Sequence, residues 1–383
     1  SDVSVGNVTS TTTIAAGTAS TLSLADIVII TASVWSIQNP YLYRVLCVVT
    51  VTKSGLVVDS VNTTVGLRTV AWDIDRGFFL NDHNVKLRGF CHHDDFTGVG
   101  MAVPPDRVWL LRAMQTRGIG ANAWRTSHNN YRNGVYDITD AVGLVVWDEN
   151  RDLRQEGLEP MAKMVTTHRN HPSVVVYSLC NEGECNMGTN KSANPPNPQD
   201  HYVHNRTVYA LFRNQTKHLD PYRKVTGNMW AEWGPGTLTD FIDVQGISHP
   251  NPQWIESIRT LEIQKPLIAS ECCSCQSQRG ENTGTVPPDG LPPPNITHEY
   301  YSAFNGDCLQ SYVNFTDSLP YIAGSMIWTL ADYLGEPAPI GWPAVSSSFG
   351  AIDLAGFPKV SVSVSVSLCL CLCVCLCLCL CFL

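Results

Sequence analysis

"RNHPSVVVYSLCNEGE", residues 169–184, is the stretch of sequence on which the fold prediction mainly depends. The run at 174–177 is three valines and a tyrosine, which is typical of a strand buried on both faces. The stretch then ends on a polar pair, Asn181 and Glu182. A buried strand with an amide and a carboxylate at its tip indicates a parallel sheet whose strand ends face a substrate.

Similar apolar runs recur from about residue 78 and alternate with helix-like runs. The predicted strands are residues 85–90, 121–125, 144–148, 173–180, 224–228, 241–246, 266–270 and 322–328. Residues 104–118 have proline near their start and glycine at their end, as helix punctuation requires. Eight strands alternating with helices over some 280 residues predict a (β/α)8 TIM barrel. The alternative, an open doubly wound sheet, usually has fewer strands and a phosphate loop, which this sequence does not contain.

The first 75 residues differ from the rest because they are rich in Thr, Val and Ser. Two strand-like runs at 41–52 and 56–66 flank a short glycine-containing loop, which predicts a β-hairpin. Short strands with turns predict a β-sandwich. The predicted organisation is a sandwich, complete or partial, at 1–75, a catalytic barrel at 76–359 and a low-complexity tail at 360–383.

The tail reads "VSVSVSVSLCLCLCVCLCLCLCFL". The hexanucleotide GTCTCT encodes Val-Ser, and the same repeat read two bases later encodes Leu-Cys, so we interpret the tail as a translated DNA repeat. It stands where the eighth barrel helix should follow, and we therefore expect that helix to be missing. A membrane anchor is the alternative, but the uncharged Leu/Cys segment has only 16 residues, short of the roughly 18–20 that a spanning helix needs.

Composition limits the class of protein. Apolar residues make up 44% and charged residues 15%, as in globular proteins. The net charge of −9 argues against nucleic acid as the main partner, because phosphate binding needs a basic patch. The cysteines at 272, 273 and 275 show no paired C-x-x-C spacing, so we predict no metal site there.

Seven N-x-S/T sequons occur in the chain, where roughly three or four would arise by chance. The excess favours a secreted or lysosome-like location, although the alternative that most are never glycosylated stays open. The sequence begins at Ser1 without a methionine, so we expect a fragment or a processed form.

The predicted strand ends carry the residues that indicate a function, because catalytic groups of such barrels lie at the C-terminal ends of the strands. These residues are, in chain order, His92, His93, Arg125, His128, Asp148, Glu149, Asn181, Glu182, Asn228, Trp230, His249, Glu271 and Trp328. The set combines carboxylates, imidazoles and indoles. Paired carboxyls with aromatic platforms are typical of sites that cleave glycosidic bonds.

Glu182 and Glu271 are the predicted catalytic pair, since each follows an apolar strand. Either glutamate alone is more often a helix N-cap or a solvated charge. Asp148 and Glu149 are a rival pair, but adjacent strand residues point to opposite faces and cannot flank one bond. We expect them to be structural, paired with Arg125 or Arg151. For His93 there are two alternatives. It contacts a sugar hydroxyl, or it forms a buried hydrogen-bonded pair with His92.

Several segments together resemble the family 2 glycoside hydrolases, which comprise β-galactosidases, β-glucuronidases and β-mannosidases. The segments are "FFLNDHNVKLRGFCHHDDFTGVG", "NAWRTSHNN", "VVWDENR", "RNHPSVVVYSLCNEGE", "KPLIASE" and "MIWTLADYLGEP". They occur in the family's order between about residues 35 and 359. The resemblance implies an immunoglobulin-like sandwich followed by the barrel, without the family's N-terminal jelly-roll domain.

The resemblance also implies roles for individual residues. Glu182 matches the acid/base and Glu271 the nucleophile of a retaining mechanism, whose carboxyls lie about 5–5.5 Å apart. Asn181 matches the residue that holds the sugar 2-hydroxyl. His249 stands where the family usually has a tyrosine that hydrogen-bonds the nucleophile. The positions that match sugar-subsite residues are His93, Arg125, His128 and Trp328.

The segment "DYLGEPAPIGWP" looks most like bacterial-type β-galactosidases, so a β-galactoside is the expected substrate. A β-glucuronidase, a β-mannosidase or an inactive truncated carbohydrate-binding relative remains the alternative. No cofactor is expected to be required, although the resemblance allows Mg²⁺ because some relatives bind it. We expect a carbohydrate partner and no membrane partner, and the resemblance leaves a homo-oligomer open.

Overall fold

The computed structural model describes residues 3–103, 107–151, 153–185, 206–230, 233–260, 263–276, 305–337, 342–343 and 345–359. Its first strands, β1 (Tyr43–Thr50) and β2 (Val57–Val65), form an antiparallel hairpin around the glycine-containing loop predicted from the sequence. Most side chains of both strands are exposed. This hairpin is the regular part of the sandwich region within the described residues.

A small antiparallel sheet connects the hairpin to the barrel. It consists of β3 (Val70–Asp73), β4 (Gly77–Leu80) and β5 (His83–Asn84). Phe78 is fully buried and packs in one apolar cluster with Trp35 from the preceding segment and with barrel residues such as Trp147. The Trp35 indole donates a hydrogen bond to the Asp140 carbonyl at 2.8 Å. The N-terminal segment is therefore fixed to the barrel by packing and by a hydrogen bond.

Eight parallel strands close into a barrel, as the sequence predicts. They are β6 (Leu87–His92), β7 (Ala123–Thr126), β8 (Val145–Glu149), β9 (Val174–Asn181), β10 (Lys224–Met229), β11 (Gln245–Ser248), β12 (Leu267–Cys272) and β13 (Ile322–Ile327). The largest shift is at β11, predicted at 241–246, because Leu238–Phe241 form a 3₁₀ turn instead of the strand's start. All eight residues of β9 are buried, which explains the apolar run that decides the fold.

Helices connect the barrel strands, and the longer ones pack against the outside of the barrel. They are α1 (Val108–Gly118), α2 (Asn133–Val142), α3 (Leu158–His168), α4 (Glu182–Cys185), α5 (Arg206–Leu219), α6 (Pro252–Thr260) and α7 (Asn305–Ser318). Large side chains from several of them fill one apolar layer against the strands, among them Trp109, Tyr136, Met161 and Phe212. Among the described residues, no helix is long and apolar enough to cross a membrane.

Among the described residues between β13 and residue 359 there is no helix, and the absence of an eighth helix stays a prediction. The predicted repeat tail at 360–383 lies outside the described residues. The segment after β13 is held by a buried ion pair between Lys359 and Asp332 at 2.7 Å. Lys359 also donates to the Ser348 carbonyl at 3.1 Å, so this segment closes back on itself.

Gly324 allows the barrel to close between β13 and β6. It lies opposite Leu87 with a φ of +152°, and a Cβ there would stand 1.9 Å from the Leu87 carbonyl oxygen. We expect Gly324→Ala to lower the free energy of unfolding by about 3 kcal/mol through backbone strain and overpacking. Urea denaturation followed by circular dichroism measures the loss. Gly118→Ala is the matched control, since a Cβ there meets nothing within 4 Å. Equal losses in both variants would contradict this account of barrel closure.

Candidate active site

The C-terminal end of the barrel brings the predicted site residues together. They lie at or directly after β6 (His93), β7 (Arg125, His128), β9 (Asn181, Glu182), β11 (His249), β12 (Glu271) and β13 (Trp328). Contacts among these side chains join the set into one cluster, described below. All of them lie next to buried strand residues, so the barrel fixes the backbone position from which each side chain extends.

Arg125 lies at the centre of this cluster and is fully buried. Its Nε and Nη2 donate to Glu149 Oε2 and Oε1 at 3.0 and 2.9 Å, and its Nη1 donates to Glu271 Oε2 at 2.6 Å. Burial alone would lower the pKa of Arg125, but the charges of Glu149 and its other neighbours raise it well above the ordinary value. The guanidinium therefore stays charged and holds the two carboxylates in place.

The resemblance implies that Arg125 lines the sugar subsite, and this stays a prediction. Its side chain is wholly buried, and its Nη2 also donates to Asn181 Oδ1 at 2.7 Å. The structural role expected for the rival acidic pair fits the contacts: Glu149 pairs with Arg125, and Asp148 binds Tyr136 and His168 at 2.6 and 2.8 Å.

Glu182 and Glu271 face each other across a short gap that His249 bridges. The His249 Nε2 lies 3.6 Å from Glu182 Oε1 and 3.4 Å from Glu271 Oε1. One carboxylate oxygen from each glutamate and one His249 nitrogen all lie within 4.8 Å of one another. The two carboxyl groups therefore approach closely through these oxygens, as expected of the roughly 5–5.5 Å carboxyl separation of a retaining pair.

The two carboxyls differ in their affinity for a proton. Burial and the nearby charge of Glu271 raise the pKa of Glu182, although the Ser248 hydroxyl donates to its Oε1 at 2.6 Å. Burial also opposes charge on Glu271, but the hydrogen bond from His249 and the charge of Arg125 outweigh it and hold the pKa of Glu271 well below its ordinary value. Glu182 is thus suited to carry a proton while Glu271 stays ionised.

An amide pair supports the nucleophile position. Asn181 Oδ1 accepts from Arg125 and from Asn228 Nδ2, the latter at 2.7 Å. Asn228 Nδ2 also lies 3.2 Å from Glu271 Oε2, and its Oδ1 accepts from the Ser270 hydroxyl at 2.6 Å. The Asn181 oxygen therefore accepts from protein donors. The NH₂ group of the same amide can donate to a ligand.

Aromatic rings form one wall of the site. The His93 ring stacks on Tyr333 at 3.7 Å and meets Trp328 edge-on at 4.8 Å, while His128 stacks on Trp328 at 5.1 Å. The His93 Nδ1 is buried and has no hydrogen-bond partner among the described residues, so a ligand hydroxyl can supply one. Burial and the charge of His128 lower the pKa of His93 to about 3, which keeps the ring neutral.

The alternative of a hydrogen-bonded His92–His93 pair is wrong. His92 turns outward and stacks on Trp124 with ring centroids 3.3 Å apart, whereas His93 faces the aromatic wall. Their side chains diverge because successive residues of an extended chain point to opposite faces. Sequence reasoning listed no site role for Tyr333, which lies in the long loop after β13 and carries no strand-end signal.

Four sulfur atoms near the site are paired in disulfides, whereas the buried Cys91 is a free thiol whose Sγ lies 3.4 Å from Arg125 Nη1. Disulfides join Cys180 to Cys185 and Cys272 to Cys273, so these four sulfurs are not thiolate ligands for a metal. Within the described residues, the group that could hold a metal is Glu182, His249 and Glu271. This donor set does not fit Mg²⁺, which prefers octahedral oxygen ligands, and Arg125 already occupies Glu271. No catalytic step is therefore assigned to a metal here.

Comparison with known proteins places the chain in a family. The description "Glycosyl hydrolases family 2, TIM barrel domain" matches residues 74–154 and 149–341, and "Glycosyl hydrolases family 2" matches residues 2–68. A β-galactosidase of Bacteroides ovatus is 30% identical over 374 residues, which cover 85% of this chain. The chain belongs to glycosyl hydrolase family 2, and its fold combines the family's sandwich region with a TIM barrel.

Other relatives are named for other sugars. A β-glucuronidase of Mus musculus is 27% identical over 326 residues and 78% of this chain. The crystal structure of a β-galacturonidase from Eisenbergiella tayi bound to galacturonate shares the fold, with a TM-score of 0.69, 21% identity and coverage of 88% of this chain and 59% of that one. The chain spans 43% of the Bacteroides ovatus protein and 46% of the mouse protein.

Removing the guanidinium of Arg125 tests its central role. We expect Arg125→Leu to lower the free energy of unfolding by about 3–5 kcal/mol, because it leaves Glu149 and Glu271 as buried charges without their partner. Urea denaturation measures the effect. Arg76→Leu is the matched control, because Arg76 forms an ion pair with Asp73 of similar length, 2.7 Å, at the surface. A midpoint that is unchanged in Arg125→Leu would contradict the role assigned here.

Proposed function

We propose that this chain is the catalytic part of a retaining exo-β-glycosidase that hydrolyses terminal β-D-galactosides. One observation carries the proposal: Glu182 and Glu271 lie at retaining distance and have pKa values shifted in opposite directions. Membership of glycosyl hydrolase family 2 supports the same reaction class. The aromatic wall beside the pair supports a carbohydrate ligand, because aromatic faces pack on the C–H surfaces of sugars.

The mechanism follows from the state of each carboxyl. Protonated Glu182 donates its proton to the glycosidic oxygen as the bond to the anomeric carbon breaks, while Glu271 attacks that carbon and forms a glycosyl ester. The departed alcohol leaves Glu182 as a carboxylate, which then takes a proton from water. As that proton leaves, the water oxygen bonds to the anomeric carbon, the ester bond to Glu271 breaks and Glu271 departs as a carboxylate, so Glu182 ends the cycle protonated. Two displacements retain the β configuration.

Neighbouring residues position the two reacting groups. Arg125 and Asn228 hold Glu271 Oε2, and the His249 Nε2 lies beside Oε1. Ser248 orients Glu182 through its hydroxyl. The Asn181 NH₂ group is available to the sugar 2-hydroxyl, whose hydrogen bonds strengthen in the transition state. The contacts to Glu182 and Glu271 lower the freedom of these carboxylates before substrate binds.

Glu336 supports a neutral sugar over a uronic acid. The Tyr333 hydroxyl donates a hydrogen bond to the carboxylate of Glu336, and the Tyr333 ring stacks on His93 in the aromatic wall. A sugar carboxylate bound along this wall would meet the negative charge of Glu336 as well as that of Glu271. The donors of Arg125 are already engaged by protein groups and cannot compensate that charge. This charge balance favours β-galactosides over β-glucuronides.

Substituting each carboxylate separates the proposed enzyme from an inactive carbohydrate-binding relative. We expect Glu271→Gln to abolish turnover of an aryl β-galactoside, because no nucleophile remains. Glu182→Gln should lose about 10²–10⁴-fold with a poor leaving group and much less with a strongly activated one, which needs no acid. Proton NMR of the first product should show the β anomer. Activity that survives Glu271→Gln, or a folded wild type without turnover, would reject the proposal.

Neutralising Glu336 tests the substrate preference. We expect the wild type to hydrolyse an aryl β-galactoside faster than the corresponding β-glucuronide, and Glu336→Gln to narrow the ratio of kcat/KM about tenfold by removing one charge repulsion. Glu159→Gln, at an exposed position on α3, is the control and should leave the ratio unchanged. A ratio that Glu336→Gln does not alter would remove Glu336 from the account of specificity.

A further inference from the structure

A second cleft lies at the opposite end of the barrel, beneath the N-terminal ends of β9 and β10. Its volume is about 390 Å³. The segment between β2 and β3 forms one side of it, and the turns that lead from α3 into β9 and from α5 into β10 form the others. None of the residues assigned to the active site line this cleft.

The lining of the cleft is strongly positive. It contains four cationic side chains and no carboxylate, and these cations are Arg68, Arg169, Arg223 and Lys224. The chain as a whole carries a net charge of −9, so this concentration of positive charge runs against its average. Three separate chain segments contribute the four cations, which means that the fold brings them together.

Two of the arginines converge on a single oxygen atom. Arg68 Nη2 and Arg223 Nε both donate to the Val174 carbonyl, at 2.6 and 2.7 Å. Arg223 also pairs with Asp220 at 2.5 Å, whereas the hydrogen bonds of Arg68 go to the backbone carbonyls of Pro172 and Val174. Two guanidinium groups are thus held side by side; the one carboxylate bonded there, Asp220, pairs with Arg223, whose Nη2 also donates to the His171 carbonyl at 2.8 Å.

A second carboxylate near the cleft, that of Asp140, does not neutralise the excess positive charge. Asp140 acts on Arg68 from a distance, but its oxygens bind the His171 ring and the Ser173 backbone amide at 2.6 and 2.9 Å. Burial and the charge of Arg223 lower the pKa of Arg68 to about 9, although the charges of Asp140 and Asp220 oppose that fall. Exposed Arg169 and Lys224 add two further positive charges at the edge of the cleft.

We propose that this cleft binds a small tetrahedral oxyanion of the phosphate or sulfate type. Guanidinium groups bind such anions through paired N–H donors, and a lysine adds a mobile point charge. The anion would sit between the segment that follows the sandwich hairpin and two barrel turns, so binding would hold the two regions together. The inference does not rest on glycosidase activity, because it concerns the opposite end of the barrel and other residues.

The test is the thermal unfolding midpoint of the 383-residue chain in inorganic phosphate and in chloride at the same ionic strength. An anion that binds the folded state alone raises the midpoint, and we expect a saturable rise of about 2–4 °C. Inorganic sulfate should act in the same way. Equilibrium dialysis with labelled phosphate should find one ion per chain, and aryl-galactoside turnover should not change with phosphate.

Variants at the edge of the cleft separate specific binding from a general salt effect. Arg169→Ala combined with Lys224→Ala should remove most of the phosphate-induced rise, measured against its own midpoint in chloride. Lys163→Ala, an exposed lysine on α3 outside the cleft, should keep the full rise. A rise that is the same in the double variant and the control, or no rise and no bound ion in the wild type, would overturn the proposal.

Discussion

One buried cation organises the active end of this barrel. Arg125 starts from β7 and contacts groups on β8, β9 and β12, namely Glu149, Asn181 and Glu271. A charge without access to water is tolerated only when it is paired and hydrogen-bonded. The closed barrel is what places those partners within reach of one guanidinium. The arrangement of the carboxylates is therefore a consequence of satisfying Arg125, and the site and the core depend on the same contacts.

The strand ends carry local backbone strain where the reacting groups lie. Glu182 and His249 have φ angles of +41° and +47°, in the left-handed region that residues with a Cβ rarely adopt. Such conformations persist when surrounding contacts determine them, here the Ser248 hydroxyl on Glu182 and the hydrogen bond from the His249 amide to the Glu271 carbonyl at 2.7 Å. Strain of this kind turns two side chains from neighbouring regions of the barrel toward one point.

Features that depend on periodicity could be predicted from the sequence, and features that depend on distant contacts could not. Eight apolar runs gave eight strands, and β-branched residues flanked by polar tips indicated where the site lies. The start of β11 was misplaced because the predicted strand begins at Phe241, which ends a 3₁₀ turn, whereas the strand itself begins only at Gln245. Arg125 is paired with a residue about 24 positions away, and His93 stacks on Tyr333, about 240 positions away. A local sequence pattern does not indicate contacts between such distant residues.

The ion pair between Lys359 and Asp332 requires that the reading frame of the gene be kept as far as residue 359. Asp332 adjoins Tyr333 of the aromatic wall, and Lys359 binds it in the last described turn of the chain. On our interpretation of the tail from residue 360 as a translated DNA repeat, slippage during replication would change the number of residues after Lys359 and leave this lysine in the reading frame. A frameshift only a few codons earlier would delete the cation and leave the Asp332 carboxylate buried without it. Selection on this reading frame should therefore be strict up to residue 359 and lax directly after it.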